Sequence, residues 1–232
     1  MPPRPPDFRT IDFWVFDLDN TLYPAASGLF TQIDERMRSF VRARFDVDDD
    51  GARAIQKGYY RSYGTTLTGL MVEHGIDPHE FCGFVHDIDV SALQPNPALR
   101  DGIAALPGRK VVFTNGSAMH AERVTRQLGL GQSFDGVMDI FGLNFRPKPH
   151  AEAYETLFAH FEAEPRRAAM FEDLPRNLVP AHKLGVTTVL VTGEHPWRHD
   201  GPPPPDDYAD FVHHETDNLP AFLRDLTTET TI

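Results

Sequence analysis

Residues 13–21 read Phe-Trp-Val-Phe-Asp-Leu-Asp-Asn-Thr, four apolar residues followed by a polar turn with two carboxylates two residues apart. The run Phe13-Trp14-Val15-Phe16 is short and has no polar residue to turn toward water. It therefore predicts a strand covered on both faces, as in the middle of a parallel sheet. Three later segments share this character: Lys110–Thr114, Ala168–Glu172 and Thr187–Val191. Helical patterns lie between them. Ser117 to Leu128 places Met119, Val124 and Leu128 at helical spacing ahead of Gly129, and Ala151 to Phe161 places Ala153, Tyr154, Leu157, Phe158 and Phe161 on one face. Strands alternating with helices predict an α/β domain built on a parallel sheet.

The first two strands are too far apart for a single crossover. Residues 28–90 read as helix throughout, with Leu29, Phe30, Ile33, Met37, Phe40, Val41 and Phe45 recurring every three or four residues. Asp77-Pro78 is a capping residue followed by a first-turn proline, opening a helix through Phe81, Phe84 and Val85. Asn96-Pro97 repeats that signal for a helix, Ala98 to Leu106, that returns to the sheet. The expected layout is a core of residues 1–24 and 95–232 with a helical cap domain, residues 25–94, inserted after the first strand. Toward the C-terminus, the run Gly201-Pro202-Pro203-Pro204-Pro205-Asp206-Asp207 reads as a stiff surface loop. Ala209–Val212 reads as one more strand and Leu219–Leu226 as a last helix. There is no internal repeat.

Charge narrows the partners. The 232 residues carry 22 Lys+Arg against 34 Asp+Glu, a net −12. That balance argues against nucleic-acid polymers and anionic membranes, both of which demand a basic face. The single cysteine, Cys82, cannot form an internal disulfide and suits a reducing compartment. With no signal-peptide pattern in the first residues and no run of membrane-spanning length, the expected location is the cytoplasm.

The polar residues cluster where chemistry is expected. Asp17-Leu18-Asp19-Asn20-Thr21 follows the first strand, Thr114-Asn115 the second, and Glu172-Asp173 a later one, while Lys148 lies between two prolines. Open parallel sheets bind ligands outside the C-terminal ends of their strands. Carboxylates gathered there repel one another unless a cation sits between them. Hard oxygen donors favour magnesium, especially where a substrate phosphate shares the metal. One carboxylate can then attack phosphorus while another handles the leaving-group proton. A hydroxyl, an amide and a lysine can hold the remaining phosphoryl oxygens. The set suits phosphoryl transfer from a small-molecule phosphate ester.

In their order and placement these residues resemble the haloacid dehalogenase-like (HAD) hydrolase superfamily. The four motifs are Asp-x-Asp-x-Thr at 17–21, Thr114-Asn115, Lys148 and Glu172-Asp173, and the resemblance covers nearly the whole chain. Three stretches are most similar to its pyrimidine 5'-nucleotidase family: Asp17 to Pro24, Tyr59 to Leu67 (Tyr-Tyr-Arg-Ser-Tyr-Gly-Thr-Thr-Leu) and His86-Asp87-Ile88-Asp89. Phe113-Thr114-Asn115-Gly116 and Pro147-Lys148-Pro149 complete the match.

The resemblance implies a Rossmann-like core with a helical cap and a reaction through an aspartyl-phosphate. It makes Asp17 the nucleophile and Asp19 the acid–base, which also offers its backbone carbonyl to Mg2+. Thr114, Asn115 and Lys148 become phosphate-binding residues. Asp17, Asp19, Glu172 and Asp173 become the metal site, Asp173 directly and Glu172 directly or through water. UMP and CMP are the implied substrates. The alternatives are another small phosphate ester, such as a sugar phosphate or phosphorylated cofactor, and a silent phosphate-binding module.

Plainer readings stand beside these. Glu172-Asp173 also fits an N-cap pair for a helix over Leu178–Leu184, in which Pro180 is accommodated near a first turn. Asp46-x-Asp48-x-Asp50-Gly51 mimics a calcium loop but has Lys57 at the twelfth position, so it reads as a solvated loop. The 11 histidines show no His-Glu-x-x-His spacing for zinc. Gly129-Leu130-Gly131 follows a helix rather than a strand and lacks a third glycine, unlike a dinucleotide loop. Cys82 reads as a core residue. Tyr59, Tyr60, Tyr63, His86, Asp87 and Asp89 are the cap's candidate substrate contacts.

Overall fold

The computed structural model describes residues 7–193 and 208–229. Six parallel strands form one sheet: β1 Phe13–Phe16, β2 Arg109–Phe113, β3 Gly136–Met138, β4 Ala168–Glu172, β5 Thr187–Val191 and β6 His214–Thr216. Their spatial order is β3-β2-β1-β4-β5-β6. The central strand explains the opening motif. β1 pairs with β2 on one side and β4 on the other, so both of its edges are used. Its side chains alternate: Trp14 and Phe16 join the core on one face, Phe13 and Val15 the core on the other. An uninterrupted apolar run is what such a strand requires.

Helices cover both faces. α5 (Pro97–Ala105), α6 (Ala118–Gln127) and α9 (Leu219–Glu229) contribute Leu99, Ile103, Ala121, Val124, Leu219 and Leu223 to the face of Trp14. α7 (Ala151–His160) and α8 (Pro175–Lys183) contribute Tyr154, Leu157, Phe158, Leu178 and Ala181 to the face of Val15. The result is a Rossmann-like α/β arrangement. The chain builds outward from β1 through β2 to β3, then crosses back to β4 and builds the other way. That reversal opens a crevice beyond the ends of β1 and β4.

Between β1 and α5 stand four α-helices: α1 Leu29–Phe45, α2 Asp49–Tyr63, α3 Thr66–His74 and α4 Pro78–Val85. Their caps are those written in the sequence. Asp77 Oδ1 accepts from His79 N, and Asn96 Oδ1 accepts from Leu99 N at the start of α5. Leu29, Ile33, Phe40, Val41, Phe81, Cys82 and Val85 join the larger core, so the insert packs as a continuation of it. None of the described helices is long and apolar enough to cross a membrane.

Several local expectations are corrected. The strand expected at Ala209–Val212 is a 3-10 turn over Tyr208–Phe211, and the strand lies further on at His214–Thr216. Its residues are polar because it forms an edge, held by pairing with β5 and by Thr188 Oγ1 donating to Phe211 O. β3, an edge of three residues, was not expected at all. The acidic stretch 46–51 is only partly loop, since Asp48 caps α2 through Gly51 N and residues 49–51 are helical. α8 starts at Pro175, earlier than expected, which places Pro180 at its sixth residue. The proline-rich stretch 201–207 lies outside the described residues.

Two glycines separate backbone conformation from crowding. Gly108 has φ 74° and a Cβ there would stand 2.1 Å from Asp12 O, whereas Gly75 has φ 63° with nothing within 4 Å. Gly75→Ala is expected to cost about 1 kcal/mol, and Gly108→Ala more than about 2 kcal/mol. Urea unfolding of both variants measures the difference; equal costs would show that the turn before β2 yields freely.

Candidate active site

The register sets the site. Phe16 is paired with Phe171, and Asp17 N donates to Phe171 O at 2.9 Å, so Asp17 leaves β1 beside the end of β4. Carboxylate oxygens of Asp17, Glu172 and Asp173 lie within 4.8 Å of one another, all three residues buried. Lys148 arrives from the loop before α7, itself only 2% exposed. Its Nζ donates to Asp17 Oδ1 (2.7 Å), Glu172 Oε2 (2.8 Å) and Phe113 O (2.8 Å). All three ammonium protons are therefore used. One residue ties together the ends of β1, β2 and β4.

The charges do not balance. Burial, then the charge of Glu172, raises the Asp17 pKa to about 7 in spite of Lys148. The same two causes hold Asp173 well above the ordinary carboxylate range. For Lys148, burial would lower the pKa, but the attraction of Asp17 and Glu172 outweighs it and the group is held above its usual value. An excess of buried negative charge on closely spaced oxygens is what a hard divalent cation relieves, so these residues fit one. Glu172 is already committed on both oxygens, Oε2 to Lys148 and Oε1 to Leu174 N at 3.2 Å. Asp17 is engaged on both of its oxygens as well, Oδ1 by Lys148 and Oδ2 by Thr21. Leu174, not Glu172 or Asp173, occupies the N-cap position of α8.

Asp19 faces a different way. Its Oδ1 accepts from His120 Nε2 at 2.8 Å and from the Tyr23 hydroxyl. Burial would raise its pKa, but His120 and the Tyr23 hydrogen bond outweigh that and keep the carboxylate below its ordinary range. Its side chain is outside the carboxylate trio, and both of these hydrogen bonds fall on Oδ1 rather than Oδ2. Thr21 Oγ1 donates to Asp17 Oδ2 at 2.9 Å, fixing the Asp17 carboxylate from the other side.

Thr114, on the end of β2, is buried, and its Oγ1 accepts from Gly116 N. The Asn115 side chain is engaged with the backbone of Lys148, accepting from Lys148 N at 2.8 Å and donating to Lys148 O at 3.0 Å. It places the lysine, which leaves only its backbone to meet a phosphoryl group.

A cavity joins this site to the inserted helices. Phe30, Ile33, Met37, Leu67 and Phe81 give it apolar walls, and Gln56, Lys57, Tyr60 and His86 line it beside Asp17, Asp19, Thr114, Lys148 and Asp173. Of the six candidate contacts in the cap, Tyr60 and His86 reach the cavity. Tyr59 is hydrogen-bonded to His74, Tyr63 to Glu73 and Asp87 to Arg36, while Asp89 caps Ser91. Burial lowers the His86 pKa to about 3, so the ring is neutral. Burial pushes the Cys82 thiol up to about 12, which makes it an unreactive wall residue.

Three participants were not found from sequence: His120, Tyr23 and Arg176. His120 lies three residues after Ser117, in the first turn of the helix that follows β2. A polar side chain there points back at the strand ends, and that offset was the available signal.

The comparisons with known proteins agree with this geometry. The model of the haloacid dehalogenase-like hydrolase family matches residues 11–196. The chain is 30% identical to the Saccharomyces cerevisiae protein "Phosphate metabolism protein 8" over 149 residues, 59% of this chain but 46% of that protein, so it spans less than half of that relative's length. It is 32% identical to the "Validoxylamine A 7'-phosphate phosphatase" of Streptomyces hygroscopicus subsp. limoneus, covering 78% of this chain and 85% of that one. Its fold is similar to that of an L-2-haloacid dehalogenase from Xanthobacter autotrophicus, with TM-score 0.55 at 15% identity over 92% of this chain and 97% of the other. Haloacid dehalogenase-like hydrolases typically use a divalent metal ion, and the buried carboxylates are consistent with one. Matched over most of its length by the family model, the chain belongs to the haloacid dehalogenase-like hydrolases.

Proposed function

We propose that the protein is a magnesium-dependent phosphomonoesterase and, within that class, a pyrimidine 5'-nucleotidase acting on UMP or CMP. The observation that carries the phosphatase reading is the convergence of Asp17, Glu172 and Asp173 within 4.8 Å, with Lys148 holding two of them. The pyrimidine reading rests on the resemblance of residues 59–67 and 86–89. A cavity with aromatic walls and a few polar groups suits a flat, polar leaving group.

In this reading the helical insert, residues 25–94, acts as a cap, and Asp17 attacks the phosphorus of the bound ester. The bond to the leaving oxygen breaks, and that oxygen takes a proton from Asp19, which the negative charge of the bound phosphate raises toward its protonated form. The phosphoryl group is then held on Asp17 as an acyl phosphate, a mixed anhydride. Asp19 next takes a proton from a water molecule that attacks the same phosphorus, releasing phosphate, returning Asp17 to a carboxylate and Asp19 to its protonated form. Asp17 and Asp173, with the backbone carbonyl of Asp19, would hold Mg2+, which when bound neutralises charge on the phosphoryl oxygens. Lys148 keeps Asp17 aimed, and Thr114 supplies a hydroxyl where negative charge builds. Asn115 secures Lys148. The cavity walls shield the acyl phosphate from stray water.

A second reading, a phosphatase for another small phosphate ester, is favoured by the similarity to a phosphatase of validoxylamine A 7'-phosphate. The two share every chemical step and differ in what the cavity accepts.

Asp17→Asn is expected to reduce turnover of an aryl phosphate by at least about a thousandfold with the fold retained. Wild-type turnover in excess chelator should be equally small and should return with Mg2+. Full activity in either experiment removes the corresponding assignment. Lys148→Met leaves two buried carboxylates uncompensated, so it should lower stability by about 3 kcal/mol in urea unfolding besides lowering kcat. No loss of stability would mean that water reaches those groups. Across UMP, CMP, AMP, GMP and a set of sugar phosphates, kcat/KM should be highest for the two pyrimidines. A sugar phosphate that outruns all four nucleotides would establish the second reading instead.

A further inference from the structure

Arg176 stands in the first turn of α8, three residues beyond Asp173, and lines the cavity that holds Asp17. Its guanidinium carbon lies 4.7 Å from the centre of the Tyr60 ring on α2, across the cavity's junction with the insert. Three other cations of the interior have acceptors: Lys148 has three, Lys57 has Asp34, and Arg123 has the carbonyls of His86 and Ile88. Arg176 has a ring against one face and, among the described residues, no acceptor for its five N–H groups. Burial lowers its pKa to about 10, with no anion opposing that shift.

A guanidinium is a flat fork with its donors in one plane. Tyr60 occupies a face and leaves the edge free. The edge matches a pair of adjacent acceptor atoms in the same plane, and a sheltered fork without such a partner is a site prepared for one. Asp17, Glu172 and Asp173 form no ion pair with Arg176, whose ring partner Tyr60 belongs to the insert, so the guanidinium stands where the cavity passes from the carboxylates to the inserted helices.

We propose that Arg176, backed by Tyr60, selects the leaving group by binding two adjacent in-plane acceptors on it. This rests on the phosphatase reading above and deepens the nucleotide one. On a pyrimidine the pair is N3 and O2 of cytosine. Uracil places an N–H at position 3, which meets the fork donor to donor. CMP is therefore the preferred nucleotide.

The test compares kcat/KM for CMP, UMP and phenyl phosphate in the wild type, Arg176→Ala and Arg176→Lys. The wild type should favour CMP over UMP by at least about tenfold. Arg176→Ala should bring that ratio to within about threefold of one, and Arg176→Lys, which keeps charge without the fork, should recover only part of it. Adding free guanidinium ion at millimolar concentration to Arg176→Ala should restore the preference. Equal losses on CMP, UMP and phenyl phosphate, as a purely structural or phosphoryl role would give, overturn the inference. So does a wild type that does not distinguish CMP from UMP although both are good substrates. Should neither nucleotide exceed phenyl phosphate, the nucleotide reading fails on its own. The inference is then decided by phosphoglycolate, whose carboxylate offers the same acceptor pair, against ethyl phosphate. A preference for phosphoglycolate that Arg176→Ala abolishes upholds it, and no preference overturns it.

Discussion

The buried ammonium of Lys148 is the constraint on which the site depends. Three carboxylates cannot share a dry crevice without opposing charge, and Lys148 supplies it at the point where β1, β2 and β4 end. Its backbone is held by Asn115, two residues beyond β2, and its ammonium by groups following β1 and within β4. The strand order is therefore linked to the chemistry: only a sheet with β1 between β2 and β4 brings these partners within a hydrogen bond of one ammonium. The remaining charge imbalance is left for a divalent cation and is the reason Asp17 and Asp173 are pushed upward.

Asp17 and Asp19 show how two residues of the same type, two positions apart, acquire different characters from their surroundings. Asp17 is buried against another carboxylate and raised, and Thr21 and Lys148 fix its two oxygens. Asp19 points to a histidine and a tyrosine and is lowered. Their surroundings drive the two like groups apart, and in the proposed reaction a divalent cation would lower Asp17 toward the ionised form that a nucleophile needs. The stacked pair His86–His120, with rings 4.6 Å apart, supports Asp19 from behind and joins the end of the helical insert to α6.

What could be read from the sequence was what repeats a general physical rule. β1 was legible because a strand buried on both faces has to be apolar at every position, and the starts of α4 and α5 because Asp77-Pro78 and Asn96-Pro97 cap helices by local chemistry. The polar ends of β1, β2 and β4 were legible because parallel sheets concentrate function there. β3 and β6 were not, since a three-residue edge strand has little side chain to bury and is held by its backbone ladder. Asn115 illustrates a subtler limit: its place beside Thr114 marked it for phosphate, but only coordinates reveal its amide engaged with Lys148. His120 and Arg176 act through partners about 100 residues distant in the chain, Asp19 and Tyr60, and no local pattern encodes such pairs.

Close to phosphorus, the side chains are fixed by charge balance and leave little room for choice. Every donor of Lys148 is taken, Glu172 is engaged on both oxygens, and Thr21 and His120 fix the two aspartates. Substituting any of them disturbs the reaction for all substrates alike. Selectivity must then arise where side chains still have unused hydrogen-bonding capacity, which is the far part of the cavity between α2 and the start of α8. Gln56, whose amide is oriented by Asp34 and whose Oε1 has no donor, stands with Arg176 in that class. In the proposed reaction such a division would let the insert and a single turn of α8 set the leaving group without altering the groups around Asp17.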